Sequence, residues 1–498
     1  MPQGIRHNCG FVVAHTLHDS YSFLRSLQHR GREAAGIAAV GDGRIDVIKW
    51  EGGVDRFDIT DLHKIFPSVH YHTYMAHVRY ATRGRKDQIL EDAHPHVVGG
   101  TPEWRGNHVL IADCAMAAVH NGQVDREYFQ NVAASQVHSS CDTEALLHLY
   151  RQMGEFNFLE EVPGAFSMAI ADRRKRDVIV LRDRTGIKPG VLGWKDGKYG
   201  VASEDIAFRK NGGDYIEDLE PGSIYYLTPE GDYSKETPLE ADLAHCFFEW
   251  NYIADVDSRL NGVSVRRIRE TLGALLAGEF RPEEADLVTF LPRCPEVAAR
   301  AYARKAGLPF QAVFYKMRGE RSFQGTTASE RRKSIDENLH LLPGMREELR
   351  GKTVILLDDS IVRGNNSKRA RYLLYEEAGV KEAYLVSYTP PIGIIGEDGV
   401  PRGCSFGVDM PPDPPPGEEF IARGRDTQLI SERMEMPVVY ISRQALAQAF
   451  AQAGVPEREL CTYCIGGPHP LAGFSASAQR AGEAAQLNLL EDDKGPSD

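Results

Sequence analysis

The strongest structural signal in the chain is TVILLDDSIVRGNNS, residues 353–367. Its apolar run at 354–357 shows no alternation, the pattern of a strand buried on both faces of a parallel sheet. Two adjacent carboxylates, Asp358 and Asp359, follow at the carboxyl end. A glycine-containing loop comes next, and the spacing predicts a helix over 368–378 with Gly379 as its C-terminal cap. Open α/β sheets bind ligands at the carboxyl ends of their strands. Loop N–H groups and a helix N-terminus suit a phosphate. The acidic pair suits sugar hydroxyls or a divalent cation. A phosphorylated sugar uses all three features.

The string DDSIVRG resembles the signature of type I phosphoribosyltransferases, which bind phosphoribosyl pyrophosphate (PRPP). That resemblance implies that Asp358 and Asp359 hold the ribose hydroxyls and help bind Mg²⁺. It also implies that Ser360, Arg363, Gly364, Asn365, Asn366 and Ser367 lie in the loop cradling the 5′-phosphate. Around it, strand and helix signals alternate from about residue 240 onward. Helices are expected over 263–280 and 296–306, and strands over 285–291, 310–315 and 382–387. Such alternation reads as a parallel, doubly wound domain.

The first 240 residues read differently, as many strands with few helices. A helix is expected over 20–28 and strands near 37–40, 45–48, 165–171 and 177–181. Val119-His120-Asn121-Gly122 reads as a strand entering a tight turn, because Asn-Gly favours positive φ. A helix over 142–153 places Asp142 as its cap. This is the pattern of a layered sheet sandwich with covering helices. Cys9 followed by Gly10, LQHRGREAAGI at 27–37, HVRYATRG at 77–84, His120-Asn121-Gly122 and Asp142 occur in the order seen in class II glutamine amidotransferases. The resemblance implies an α+β N-terminal-nucleophile sandwich (αββα) with Cys9 attacking the glutamine carboxamide. Asn121 and Gly122 would bind the oxyanion, Arg79 the α-carboxylate and Asp142 the α-ammonium. For Cys9 to be N-terminal, residues 1–8 must be a removed propeptide. Its α-amine, with a pKa near ~7.7–8.0, would then serve as the general base. His29 and His120 are read as packing or hydrogen-bonding residues.

An αββα glutaminase at 9–240 followed by an α/β type I phosphoribosyltransferase at 241–470 is similar to the amidophosphoribosyltransferase family. The family resemblance implies glutamine and PRPP as substrates, Mg²⁺, channelled ammonia, 5-phosphoribosylamine and pyrophosphate as products, and a homo-oligomer (dimer or tetramer). Residues 471–498, rich in Ala, Gly, Glu and Asp, are expected to be a disordered tail.

The net charge of −13 argues against nucleic acid or an anionic membrane as partner. No apolar run reaches the ~20 residues of a membrane helix. No secretory signal is evident, so a cytoplasmic location is expected. Eight cysteines in such a chain are then not a disulfide framework. Cys461 and Cys464 form a C-x-x-C that, with Cys246 and Cys404, suits a tetrathiolate site, and spacing alone leaves zinc and iron–sulfur both open. Their positions resemble the ligands of one 4Fe-4S cluster in the iron–sulfur branch of the family, which also carries a short propeptide. Cys114, Cys141 and Cys294 read as buried free thiols.

The departures from the family fall on the pyrophosphate side. The loop there reads Pro292-Arg293-Cys294-Pro295, with Arg293 where the family has an acid and Pro295, which has no N–H, at the serine position. The lid begins Lys316-Met317-Arg318-Gly319, keeping the Lys316 and Arg318 cations expected to face pyrophosphate. Asn365-Asn366 replace Thr-Thr, with amides that still donate to a phosphate. Two readings follow: an intact amidophosphoribosyltransferase, or a divergent paralogue. The paralogue would deliver ammonia to another phosphorylated acceptor or sense a phosphoribosyl ligand without catalysis.

Overall fold

A computed structural model of the chain describes residues 9–80, 88–124, 137–316 and 339–471. The expectations for residues 1–8, for Arg318 and for the 472–498 tail lie outside these residues. Among the described residues no helix is long and apolar enough to cross a membrane.

The first half is the expected αββα sandwich. Strand Gly10–Ala14 pairs antiparallel with Thr73–Arg79 on one side and Lys198–Ala202 on the other. Alternation along Gly10–Ala14 assigns its two faces. Phe11 and Val13 enter the core between the sheets with Val119, Ala169 and Val201. Val12 and Ala14 face outward into a core capped by Leu17, Phe23 and Leu24 of helix Leu17–Ser26. A third core packs Leu146, Leu147 and Tyr150 of the helix after Cys141 against Met116, Ala118 and Met168 of the second sheet. The 17-residue strand His108–Val124 joins the layers. Its first part pairs with Arg44–Glu51 and its last with Gly164–Asp172.

Three details differ from the sequence reading. Asn121 and Gly122 are not a turn: they lie in strand His108–Val124, opposite Ser167 and Phe166. The ladder to Gly164–Asp172 holds them extended, and this overrides the local preference of Asn-Gly. The helix Asp142–Glu161 is capped by Cys141, and Asp142 is its first residue. Its helical geometry breaks at Gly154 (φ 74°), and a further helical stretch reaches Glu161. The first helix occupies Leu17–Ser26, capped by Thr16 accepting from the Asp19 N–H, three residues earlier than expected.

In the second half, strands Leu287–Phe290, Thr353–Asp358, Glu382–Ser387 and Val438–Tyr440 form one parallel sheet in that order. The 354–357 run is central and buried on both faces, as its composition requires. Ile355 and Leu357 meet the helices Val265–Glu279 and Glu296–Ala306. Val354 and Leu356 meet Ala370, Leu373 and Leu374 after the acidic pair. The strand expected at 310–315 is reduced to one bridge, Phe310 to Val288, and a short ribbon of Phe314–Lys316 with Leu339–Leu341. The helix after the acidic pair starts at Asn365 rather than 368, because Gly364 takes up a left-handed φ of 76° and turns the chain into the first helical residue.

Candidate active site

Cys9 precedes strand Gly10–Ala14 and is fully buried. Its carbonyl accepts from Arg30 Nε at 2.9 Å. Burial pushes the Cys9 thiol up to about 12, against the opposing pull of the Tyr80 N–H and the Arg79, Lys188 and Arg30 cations. The thiol is therefore protonated at neutral pH, and its use as a nucleophile calls for an adjacent base.

Asn121 is wholly buried, and among the described residues neither its amide nitrogen nor its amide oxygen has a partner. An unsatisfied buried amide costs about 1–3 kcal/mol, so this donor is held ready for something the chain does not supply. Gly122 has no room for a side chain, since a Cβ there would lie 2.1 Å from the Ala165 carbonyl oxygen. Across the sandwich, a His77 ring nitrogen sits 3.0 Å from the His120 carbonyl, tying the Thr73–Arg79 strand to the Asn121 strand.

Arg79 is buried and engaged by Glu33 at 3.1 Å and Asp92 at 3.2 Å, while its Nε has no partner among the described residues. The sequence reading missed Glu33 and Asp92, which lie in different loops. Asp142 is buried and accepts the Val124 N–H at 3.1 Å, two residues beyond Gly122. Its other oxygen lies 3.6 Å from His120 Nδ1. A second ion-pair network lies behind Cys9. Arg30 bridges Glu204 at 2.5 Å and Glu249 at 2.9 Å, all three buried, and Lys188 stands 3.7 Å from Glu249. His29 also contacts Glu204, at 2.8 Å, in the hydrogen-bonding role expected for it.

Glu249 belongs to the second half, and its segment touches every other centre. Cys246, three residues before it, pairs in register with Cys461 through the parallel bridge of His245–Cys246 to Leu460–Cys461. Two residues after it, the Asn251 carbonyl accepts from Tyr388 Oη at 2.9 Å and from the Cys294 thiol at 3.4 Å. Cys294 also interacts electrostatically with the Asp359 carboxylate. Cys294, read from the sequence as an idle thiol, therefore places the 292–295 loop beside the acidic pair.

Asp358 and Asp359 are both buried at the end of strand Thr353–Asp358. Burial, reinforced by the Asp359 charge, holds Asp358 well above the ordinary carboxylate range, with Lys316 opposing. Burial pushes Asp359 up to about 6, opposed by the Ser360 hydroxyl and by Arg269. Two such carboxylates side by side call for a cation. Ser360 Oγ donates to Asp359 at 3.0 Å, and the Ser367 side chain helps to lower the Asp358 pKa against the burial that raises it. Gly364 makes no side-chain cap bond, and Asn365, Asn366 and Ser367 form the first turn of the helix behind it. Arg363 is engaged elsewhere. It bonds the Glu418 carbonyl at 3.2 Å and the Glu418 carboxylate at 3.3 Å, holding the 409–418 loop. Arg293 is exposed, and Pro295 is buried at the N-terminus of helix Glu296–Ala306.

Cys246, Cys404, Cys461 and Cys464 are all buried and interact electrostatically with one another. Cys404 Sγ accepts the Phe406 and Val408 N–H groups at 3.3 and 3.4 Å. The one group of three candidate ligands among the described residues whose atoms fall within 4.8 Å of one another lies elsewhere. The four sulfurs are thus spread wider than the ~3.8 Å that Zn–S bonds of 2.3 Å impose around a single tetrahedral ion.

Comparison with known proteins places the whole chain. A model of the glutamine amidotransferase domain matches residues 105–210. The amidophosphoribosyltransferase of Methanothermobacter thermautotrophicus is 31% identical over 490 residues, covering 94% of this chain and 95% of that one. That of Archaeoglobus fulgidus is 32% identical, covering 91% and 94%. The solved structure of glutamine phosphoribosylpyrophosphate amidotransferase from Bacillus subtilis, complexed with ADP and GMP, superposes with a TM-score of 0.74 at 27% identity. It covers 93% of this chain and 97% of that one. The chain belongs to the amidophosphoribosyltransferase family.

Proposed function

We propose that this chain forms 5-phosphoribosylamine from PRPP with ammonia taken from glutamine, the first committed step of purine synthesis. The observation that carries the reading is the 246–254 segment. It joins Cys9 through Glu249 and Arg30 to the acidic pair through Asn251 and Cys294. Two reaction centres that must exchange ammonia are thereby built on one piece of chain.

Removal of residues 1–8 gives Cys9 an α-amine able to take the thiol proton, which the buried thiol otherwise keeps. The thiolate attacks the glutamine carboxamide. The unpartnered Asn121 amide and the Gly122 N–H receive the developing oxyanion. Arg79 Nε, also unpartnered, offers a donor to the substrate α-carboxylate, and Asp142 accepts from the α-ammonium. Ammonia then displaces pyrophosphate from C1 of PRPP. Asp358 and Asp359 hold the ribose hydroxyls and Mg²⁺, which supplies charge neutralisation for the leaving group. Ser360, Gly364, Asn365, Asn366 and Ser367 hold the 5′-phosphate. Lys316, with Arg318 as the expected second cation, would bind pyrophosphate, and Arg363 fixes the neighbouring loop.

Cys246, Cys404, Cys461 and Cys464 fit one 4Fe-4S cluster. Their spread exceeds that of a single zinc ion, and N–H donation to Cys404 suits a thiolate ligand. The cluster would supply a structural crosslink between residues 246, 404 and 461–464.

The test is glutamine-dependent pyrophosphate release from PRPP with Mg²⁺, in a chain whose mass begins at Cys9. Stoichiometric glutamate and pyrophosphate are expected. Glutamate without pyrophosphate would replace this reading with delivery of ammonia to another phosphorylated acceptor.

A further inference from the structure

Beside the Asp142 end of the glutaminase centre lies a group of side chains that the chemistry above does not use. His94, His96 and Cys141 are all buried, and one ligand atom from each lies within 4.8 Å of the other two. Distant parts of the chain bring them together. His94 and His96 flank Pro95 at the start of strand His96–Arg105, and Cys141 caps helix Asp142–Glu161.

The donor set and its geometry suit a metal. Cys141 Sγ lies 3.9 Å from His94 Nε2. A tetrahedral zinc ion with Zn–N near ~2.0 Å and Zn–S near ~2.3 Å holds such atoms about 3.5 Å apart, so a small inward movement completes the bonds. Two imidazoles and a thiolate select zinc-class ions over Mg²⁺ or Ca²⁺. The surroundings supply orienting contacts of the kind that fix metal-binding imidazoles. A His96 ring nitrogen meets the Asp92 carbonyl at 3.3 Å. His94 Nε2, the nitrogen nearest Cys141, bonds Thr143 Oγ1 at 2.8 Å, a contact that the metal replaces. His77 stacks on His94 with ring centroids 3.9 Å apart, holding the ring from the other side. Of the three, His96 also lines a groove of about 450 Å³ with Lys49, Glu91, His138, Glu144 and His148. We propose that His94, His96 and Cys141 bind one thiophilic divalent cation of the zinc class, separate from the acidic pair and from the four-cysteine group. Such an ion crosslinks the 94–96 segment to the start of the Asp142–Glu161 helix.

The experiment titrates zinc onto the full-length protein under anaerobic conditions and follows bound zinc by competition with a chromogenic chelator. The zinc-edge X-ray absorption spectrum then reports the ligands. Wild type should hold one equivalent with a mixed nitrogen and sulfur shell. Cys141→Ser and His96→Phe should each weaken that equivalent by at least about 100-fold, while any sulfur-only zinc stays unchanged. Zinc should also raise the melting temperature of wild type and not of the two variants. Equal zinc affinity in all three proteins, or a wild-type spectrum with a sulfur-only shell, overturns the proposal. Because the four-cysteine group has no nitrogen to contribute, the wild-type spectrum decides the matter even where a variant fails to fold.

Discussion

The Cys9 and Asp359 centres treat buried charge in opposite ways. Around Cys9 the buried carboxylates face cations of the same chain: Glu204 and Glu249 face Arg30, and Asp92 faces Arg79. Burial alone would push Glu204 up, yet His29 and Arg30 outweigh it and hold the group well below the usual carboxylate range. At the other centre two carboxylates stand side by side, and burial pushes both up against the partial compensation of Lys316 and Arg269. The difference teaches which centre the chain finishes alone. The glutaminase framework is electrostatically closed and waits for a neutral carboxamide. Among the described residues the phosphoribosyl centre keeps two buried carboxylates that Lys316 and Arg269 offset only in part, the place where the proposed Mg²⁺ would sit.

The largest expected effect breaks the closed side. Arg30→Met leaves Glu204 and Glu249 buried without their shared guanidinium. Removing one partner of such a group costs about 3–5 kcal/mol of unfolding free energy, read by urea denaturation. A loss below about 1 kcal/mol would show that this network does not hold the two halves together.

Next in size, Asn121→Ala should lower the glutaminase kcat by about 10²–10³, equivalent to roughly 2.7–4 kcal/mol at the transition state. Stability should not fall, because among the described residues neither amide atom has a partner to lose and an unsatisfied buried amide is removed. A large drop in melting temperature with unchanged kcat would mean that the amide is structural.

The smallest effect tests the open side. Asp359 carries a folded-state pKa raised to about 6 from its ordinary value of 3.8. Its favourable contribution is therefore present below the unfolded pKa and is lost as pH rises through about 6. In ligand-free protein, Asp359→Asn should stabilise by on the order of 1–2 kcal/mol at pH 8, a gain that vanishes near pH 4. Mg²⁺ should narrow the gap by stabilising wild type more than the variant. An equal gain at both pH values would remove the contrast between the two centres.

Much of this was legible in the chain. A run of four apolar residues ending in two acids has few places to go except the centre of a parallel sheet, and that is where 354–357 lies. The helix Glu296–Ala306 and the strand Glu382–Ser387 stand where their patterns place them. Cys461 and Cys464 were readable because the C-x-x-C spacing is local. The Asn121-Gly122 turn misled for a physical reason: turn preference is a local free energy of limited size, and a full ladder to Gly164–Asp172 outweighs it. The His-Pro-His at 94–96 was a signal that could have been noticed, but its third member lies 45 positions away.

By itself the sequence determined the two domain types, the order of their motifs and the residue types able to carry the chemistry. Those follow from periodicity and from short spacings, which a linear chain records directly. Only the tertiary structure decided which charges meet. Arg30 and Glu249 are 219 positions apart, and no local pattern pairs them. The same holds for Cys294, which burial brings against Asp359, and for Asp142, which the end of a strand claims through the Val124 N–H. Buried polar groups take whatever partner the fold places within about 3 Å, because leaving them unpaired is costly. That choice is made by packing, after the elements have formed.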